Sequence, residues 1–482
     1  MQPIAWSALE KFLQQAIWLL LFFILAPILG PQPYGQFAIV MVVIGVCELV
    51  LATPAVESLL SMDPLEPNHL RTTNLAGLVL AVLAGGMIFL SAPYIGQVFG
   101  DAELESIFKI MSVLPATAIL TATPIAVLKS HLLFRPLALR TILSLAMGGV
   151  VGIALAFYGA GVWALVVQVL IQRVAEVVIL WWTAHTRFGL GWSNRHFVDL
   201  RHYAATQFFS HGMAFASGQI PRLIVGYILG ASELGLFVFA WRLLDMLVWT
   251  TIHPAAEVAR VTLRQYKKGK EELEVAFGRL LEDSALIAFP ICCGAAAIMP
   301  LIFAILLDNR WQPAVFASQL LILCVIPNLI FFMGSSALMA VKRPQDDAKI
   351  SLAHALAGSF SVLLAAPFGL NTVCFVTLIR YLALVPMLQR MLSLRCGISA
   401  RSLAAAVGPA LVASLLMGCA VALSAPVVEQ RLGHVASLFT LVGMGVLIYA
   451  ILVAIVAPQG ASRLIASARR LVLREGAVPP LK

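Results

Sequence analysis

Charge is what this chain has least of. Only 11% of its 482 residues are Asp, Glu, Lys or Arg, against 61% hydrophobic, so a soluble globule of this length could not be covered with polar surface. With a mean hydropathy of +0.95, the chain must use lipid as its solvent. Signatures of catalysis and metal binding are missing as well. The sequence holds no CxxC pair, no HExxH, no GxSxG and no P-loop, which leaves no support for a metal centre, a nucleophile elbow or an ATPase site. We therefore expect no catalytic residues, no metal and no cofactor other than a coupling H⁺ or Na⁺. Cysteine supplies no framework either. Cys47, Cys292, Cys293, Cys324, Cys374 and Cys419 fall inside apolar runs and Cys396 in a connecting loop, none of them placed for an extracellular disulfide.

What is abundant is apolar sequence in runs of about 20 residues, the length that crosses a ~30 Å hydrocarbon core. The pattern predicts about fourteen transmembrane helices, at 12–30, 35–60, 74–98, 107–129, 137–158, 160–183, 204–230, 234–261, 280–306, 313–341, 348–367, 368–392, 402–424 and 433–457. The first run lacks a basic leader and a small-residue cleavage site and reads as an uncleaved helix. Placing the N-terminus in the cytoplasm puts most of the 32 Lys and Arg inside and leaves Arg310 and Arg431 to the outside loops, the asymmetry of the positive-inside rule. Both termini are then cytoplasmic. The net charge of +9 is thereby accounted for by topology, and no aromatic-interleaved basic patch makes a case for nucleic acid. In the tail, Leu464, Ile465, Ala468, Leu471 and Val472 lie opposite Arg463, Arg470 and Arg474, as expected of a helix resting on the lipids of an anionic leaflet.

The chain also contains a copy of part of itself. ILGPQPYGQF at 28–37 returns as ILGASELGLF at 228–237, and the offset of 200 continues from Pro54, Ala55 and Glu57 to Pro254, Ala255 and Glu257. Similar halves with an even number of spans are parallel repeats, related by an axis along the membrane normal. The expected architecture is an all-α polytopic membrane protein with two six-helix lobes, 1–183 and 204–392, around a central cavity. A cytoplasmic linker at 184–203 joins the lobes, two further helices occupy 393–457, and a basic tail runs over 458–482. The outside loops are about ten residues or fewer by the same topology.

Five cations fall within or at the edges of the apolar runs, namely Lys109, Arg173, Arg222, Arg242 and Arg380, where a charge is costly unless it faces protein or water. Arg222 and Arg242 lie at equal distances from the turn near residue 232, hence about 15 Å below it at 1.5 Å per residue. Gln207, His211, Gly218 and Arg222 share one face of span seven, and Arg242, Asp245, Trp249, His253 and Glu257 share one face of span eight. Subtracting 200 gives Val42, Gly45, Leu49, Thr53 and Glu57 in span two, an apolar wall where its counterpart is charged. A cationic wall facing an apolar one suits an amphiphile that carries an anion, because guanidinium forks bind phosphate oxygens in bidentate fashion. The candidate substrate-binding residues are Arg222, Arg242, Gln207, His211, Trp249 and His253. Asp245, by face and depth, and then Glu48 in the middle of span two are the candidates for ion coupling. Plainer roles suit the rest: Arg173 pairs with Glu176 one turn on, Lys109 snorkels, and Arg380 is a bundle contact or an inner-end anchor.

LGPQPYGQFA at 29–38, LGASELGLFVFAWRL at 229–243, and the basic loop with Tyr266 and Lys267 to Lys270 resemble the polysaccharide transporter family. These are the O-antigen and exopolysaccharide flippases of the multidrug/oligosaccharidyl-lipid/polysaccharide exporter superfamily. The resemblance implies a lipid-linked oligosaccharide as partner, carried on a polyprenyl diphosphate and moved to the outer leaflet of a bacterial inner membrane by rocking of the two lobes, with other polysaccharide-assembly proteins as further partners. It implies a cavity lined by spans one, two, seven and eight. An antiporter of drugs or small cations would want an acidic cavity, a glycan polymerase or ligase would want a large outside loop, and a scaffold would not need Arg222 in mid-span.

Overall fold

The computed structural model describes residues 2–184, 189–265 and 269–456 together with 458, 462 and 463; for residues 2–5, 7, 8, 202, 203, 205–214, 216, 217 and 270 it describes the backbone alone. The amphipathic face expected from Leu464 to Arg474, and Tyr266 to Lys268 of the basic loop, lie outside the described residues. Among the described residues the regular structure is helical throughout. In chain order the helices are α1 (Gln2–Leu29), α2 (Pro31–Leu60), α3 (Pro67–Phe99), α4 (Ala102–Met111), α5 (Leu114–Ser130), α6 (Phe134–Phe157), α7 (Val162–Ala184) and α8 (Asn194–Leu247). A π-helical turn (Val248–Ile252) leads into α9 (His253–Leu263), followed by α10 (Lys270–Leu306), α11 (Ala314–Leu323), α12 (Val325–Ala340), α13 (Pro344–Ala365), α14 (Leu370–Cys396), α15 (Ala400–Leu432) and α16 (His434–Val456).

The boundaries have local causes. Proline opens α2, α3 and α13, where its missing N–H costs nothing and its fixed φ suits the first turn. Asp101 caps α4 by accepting the Glu103 N–H at 3.0 Å, and Ser399 caps α15 by accepting that of Ser402 at 3.1 Å, each satisfying a donor that the helix itself leaves open. Gly397, at φ 77°, ends α14. That helix therefore runs on to Cys396, which is buried in its last turn and not in a connecting loop as expected; Leu394 and Arg395 before it are good helix formers.

Thirteen helical stretches among the described residues are long and apolar enough to cross a membrane. One of them, Gly218–Leu263, has 46 residues, about 69 Å of helix at 1.5 Å per residue against a ~30 Å core. It is broken at Gly230 (φ 86°, ψ 174°) and makes two crossings, which brings the spans to the fourteen expected. The chain is an all-α, multi-pass membrane protein. Leu83, Leu90, Val446 and Ile451 are each more than 60% exposed, and so many open aliphatic side chains are at home against lipid.

Contacts divide the chain into two compact units, Met1–Val238 and Phe239–Lys482, with the boundary inside α8. In the first, α6 packs on α1 and α7, α2 on α5, α3 on α4 and α5, and α5 on α7. The start of α8 is docked on the loop between α2 and α3. His196 Nε2 donates to Glu66 Oε2 at 3.0 Å, His196 Nδ1 accepts from Ser193 Oγ at 2.6 Å, and His69 Nδ1 accepts the Glu66 N–H at 3.1 Å. The two imidazoles meet edge to face at 4.4 Å. In the second unit, α10 packs on α15, α11 and α12, α15 on α16, α13 on α14, and α12 on α9 and α14. Phe277, Phe289, Phe303 and Trp311 are its largest fully buried side chains together with Phe239.

Candidate substrate and ion site

Four glycines shape the helices on which the expected site residues sit. Gly30 precedes α2 with φ 81° and ψ 177°, and Gly230, two hundred positions on, interrupts α8 with φ 86° and ψ 174°. That combination is essentially open to glycine alone, so the repeat is conserved in backbone conformation as well as in letters. One turn later the two copies cross. A Cβ added to Gly35 would fall closer than 3.0 Å to the carbonyl oxygen of Ala231, and one added to Gly235 closer than 3.0 Å to that of Pro31. The contact is reciprocal, 35 with 231 and 235 with 31, as an internal two-fold repeat requires.

Glu48 projects from the middle of α2 and does not stand alone. Arg173 of α7 reaches it through Nη2 and, through Nη1, donates to Glu176 Oε2 at 3.2 Å. Gln172 Nε2 donates to the other oxygen of Glu176 at 3.2 Å. Glu176 is 8% exposed by side chain, Arg173 24% and Glu48 35%, so the two carboxylates differ in their access to the surroundings. The pairing of Arg173 with Glu176 agrees with its i,i+3 spacing. The bond to Glu48 was missed, although counting from the C-terminal ends of α2 and α7 puts Glu48 at about 18 Å and Arg173 at about 16 Å, a depth match that the sequence contains.

Arg222 lies in the part of α8 before Gly230, half-buried, with Nη1 donating to Gln219 Oε1 at 3.3 Å. Gln207 and His211 belong to the stretch described by its backbone alone, and their side chains lie outside the described residues.

The stripe on span eight belongs to the second unit. Leu244, Val248, Ile252, Ala256 and Ala259 are buried, whereas Trp249, Thr250, Pro254, Glu257 and Val258 are open. Arg242, Asp245 and His253 are intermediate, flanking that open side, and Asp245 acts electrostatically on Arg242 one turn away. Trp249 is 52% exposed and lies flat on His253, ring centroids 3.8 Å apart and planes 8° from parallel; His253 also meets Phe332 of α12, centroids 5.0 Å apart and planes 62° from parallel. The π-turn between Asp245 and His253 has a local cause. Pro254 cannot donate to Thr250 C=O and its ring would crowd that carbonyl, while the hydroxyls of Thr250 and Thr251 donate back to Met246 C=O (2.9 Å) and Leu247 C=O (2.7 Å). Such back-bonds loosen a helix. The equivalent positions of α2 are Val50 and Leu51, and α2 stays α-helical through Pro54.

The remaining cations have structural partners. Lys109 pairs with Glu105 at 2.6 Å. Arg380 of α14 donates through Nη1 to His354 C=O of α13 at 2.9 Å and lies 4.4 Å over the Tyr381 ring, the bundle contact expected of it. Among the described residues no three His, Cys, Asp or Glu side chains are grouped to hold a metal ion.

Residues 24–316 match the family model described as polysaccharide biosynthesis protein. The chain is 22% identical over 317 residues to the succinoglycan biosynthesis transport protein ExoT of Rhizobium meliloti, covering 64% of this chain and 63% of that protein. It is 24% identical over 298 residues to the teichuronic acid biosynthesis protein TuaB of Bacillus subtilis, covering 59% and 60%. The chain thus matches about three-fifths of the length of these relatives. In fold it is similar to the lipid II flippase MurJ in an inward closed conformation, with a TM-score of 0.74 and 13% identity over 94% of this chain and 98% of that one. It is also similar to an inward-facing multidrug resistance transporter of the MATE family and MOP superfamily, with a TM-score of 0.61 and 15% identity over 80% and 94%.

Proposed function

The chain belongs to the polysaccharide biosynthesis protein family, and we propose that it is a flippase for a polyprenyl-diphosphate-linked oligosaccharide, an O-antigen or exopolysaccharide repeat unit. It works in a bacterial inner membrane with both termini cytoplasmic and carries its substrate from the inner to the outer leaflet by ion-coupled alternating access. The observation that carries this reading is the open stripe on span eight. A guanidinium at Arg242 and a half-exposed aromatic pair at Trp249 and His253 stand on one side of a transmembrane helix, the first suited to phosphate oxygens and the second to the apolar face of a sugar ring. Arg222 is the second guanidinium of this reading, and Gln207 and His211 are assigned to its helical face by their spacing in the sequence alone. The names of the relatives agree, one being a succinoglycan transport protein and the other a teichuronic acid biosynthesis protein.

The test is glycan export in cells lacking this protein, complemented with wild type, Arg222→Ala, Arg242→Ala and Arg222→Lys at matched membrane levels. The flippase reading expects the alanine variants to lose export while lipid-linked glycan accumulates in the inner leaflet. Normal export by both alanine variants would remove the arginines from the substrate site.

A further inference from the structure

A cleft in the first unit has no part in the flippase reading. It lies where the end of α2 meets the start of α3, with α5 behind it and the start of α8 alongside, and its volume is about 130 Å³. Its share of α2 is Leu51, Pro54, Ala55 and Ser58. At 100° per residue that face is turned about 150° from the wall of Val42, Gly45, Leu49, Thr53 and Glu57, so the cleft opens away from the expected central cavity.

Its lining is graded along the helices. At 1.5 Å per residue Ser58 lies about 3 Å from the end of α2 and Thr72 about 8 Å into α3, whereas Leu51, Leu80 and Ile119 lie about 14, 20 and 17 Å from the same ends of α2, α3 and α5. The polar end holds two groups that the protein leaves unsatisfied. Thr72 and Thr73 are 1% and 8% exposed, and neither hydroxyl finds a hydrogen-bond partner among the described residues, a costly state for a buried donor. Arg201 stands exposed at the edge of the cleft. It is held there by Leu200, which packs with Leu59 and Ala126, and by the bond of His196 to Glu66 just over one turn earlier. The apolar end is open at the side, where Val50 and Leu80 are exposed in company with Val46, Val79 and Leu83.

We propose that this cleft is a binding site for one anionic phospholipid of the inner leaflet. The phosphate sits at Arg201, the hydroxyls of Thr72 and Thr73 donate to the glycerol-ester oxygens, and the first methylenes of one acyl chain lie between α2, α3 and α5. The leaflet rests on the orientation given with the flippase reading; the site itself does not.

The features of the cleft select that occupant. Its volume equals about four water molecules at ~30 Å³ each, yet the side chains of its deep half, Leu51, Pro54, Ala76, Leu80 and Ile119, offer water no polar partner, whereas methylenes fill it without loss. A free phosphate would satisfy the guanidinium and leave that apolar half uncovered. A soluble protein could not reach an opening that lies among lipid-facing side chains. An anionic lipid matches all three parts at once, since the negative inner leaflet draws basic groups at its surface and a guanidinium fork fits phosphate oxygens.

The experiment is a thermal-unfolding titration of the full chain, purified in detergent, with dioleoylphosphatidylglycerol, dioleoylphosphatidylcholine or inorganic phosphate as probe. The expected result is a saturable rise in melting temperature with phosphatidylglycerol that the other two do not give. Arg201→Ala should need about fivefold more phosphatidylglycerol for the same rise, the worth of one basic residue near an anionic surface. Arg201→Lys should keep most of the response, and Arg431→Ala, which removes a charge elsewhere, should respond as wild type. Ala76→Phe fills the cleft and should abolish the saturable rise while melting, without lipid, no lower than wild type; Ala76→Leu, a smaller filling, gives the same reading should the Phe variant fail to fold. Equal responses to the two lipids, a full response to inorganic phosphate alone, or a wild-type response in Arg201→Ala and in the filled variant overturns the proposal. Because the titration contains no glycan, it decides the lipid site whether or not the protein restores export in cells.

Discussion

Gly35 and Gly235 each receive the backbone of the other repeat: the carbonyl of Ala231 occupies the place of a side chain on the first, and the carbonyl of Pro31 that on the second. Because the obstructing atoms are main chain, neither site can relax by a rotamer change. Gly35→Ala and Gly235→Ala should each cost at least the ~1–3 kcal/mol of an overpacked core, read as a lowered melting temperature of the detergent-purified protein. Gly86→Ala, at a helical glycine with open space around it, should instead hold or raise the melting temperature, by up to about 1 kcal/mol of helix propensity.

Arg173→Met leaves Glu176 buried without its cation. Breaking a buried pair from one side costs about 3–5 kcal/mol, and chemical denaturation should register a loss of that order. Adding Glu176→Leu should recover much of it, since removing both charges is far cheaper than removing one.

Trp249→Ala should reduce export with little change in stability, because a side chain already half in the open contributes little to the packed interior. Trp249→Phe keeps a flat ring over His253 and should retain most of the activity. Equal loss of export and of melting temperature in the alanine variant would instead assign Trp249 to packing.

Thr250→Val combined with Thr251→Leu reproduces the residues found two hundred positions earlier. It removes both hydroxyl back-bonds and should return residues 248–252 to α-helix, seen as a changed distance between spin labels placed on either side of the turn.

The docking of α8 on the loop before α3 should weaken in acid. The hydrogen bond from His196 holds the Glu66 carboxyl below its usual range. A carboxylate whose pKa is depressed on folding contributes stability that is present above its unfolded value and is lost as pH falls through the folded one. Hydrogen exchange of residues 194–200 should therefore accelerate as pH drops below the ordinary carboxylate range, after correction for intrinsic rates. Glu66→Gln should abolish that dependence.

Much of the architecture was legible because lipid imposes a simple rule. Every span must be apolar for about 20 residues, and the fourteen expected runs fall on thirteen apolar helical stretches, one of them divided in two at Gly230. Helical periodicity likewise put Arg242, Asp245, Trp249 and His253 on one side of span eight, where the burial pattern leaves them. What periodicity cannot carry is the identity of the neighbour. Glu48 and Arg173 are 125 residues apart, and their meeting depends on how α2 is rotated against α7, which no pattern within either helix records. The π-turn was hidden for a related reason: the offset of 200 runs straight through it, so nothing in the letters marks a change of winding.

That unbroken offset has a mechanical corollary. Residues 48–52 and 248–252 are equal lengths of chain at equal places in the two copies, one wound as α-helix and the other as a π-turn. No residue was inserted to make the wide turn, so it can be wound out again without any change in length of sequence. Tightening it would rotate everything from His253 to Leu263 by about one residue's step, roughly 100°, and with it the ring on which Trp249 rests. The second repeat thus possesses a screw where the first is wound as α-helix throughout, and the face it carries from His253 onward can be turned without moving the turn at Gly230.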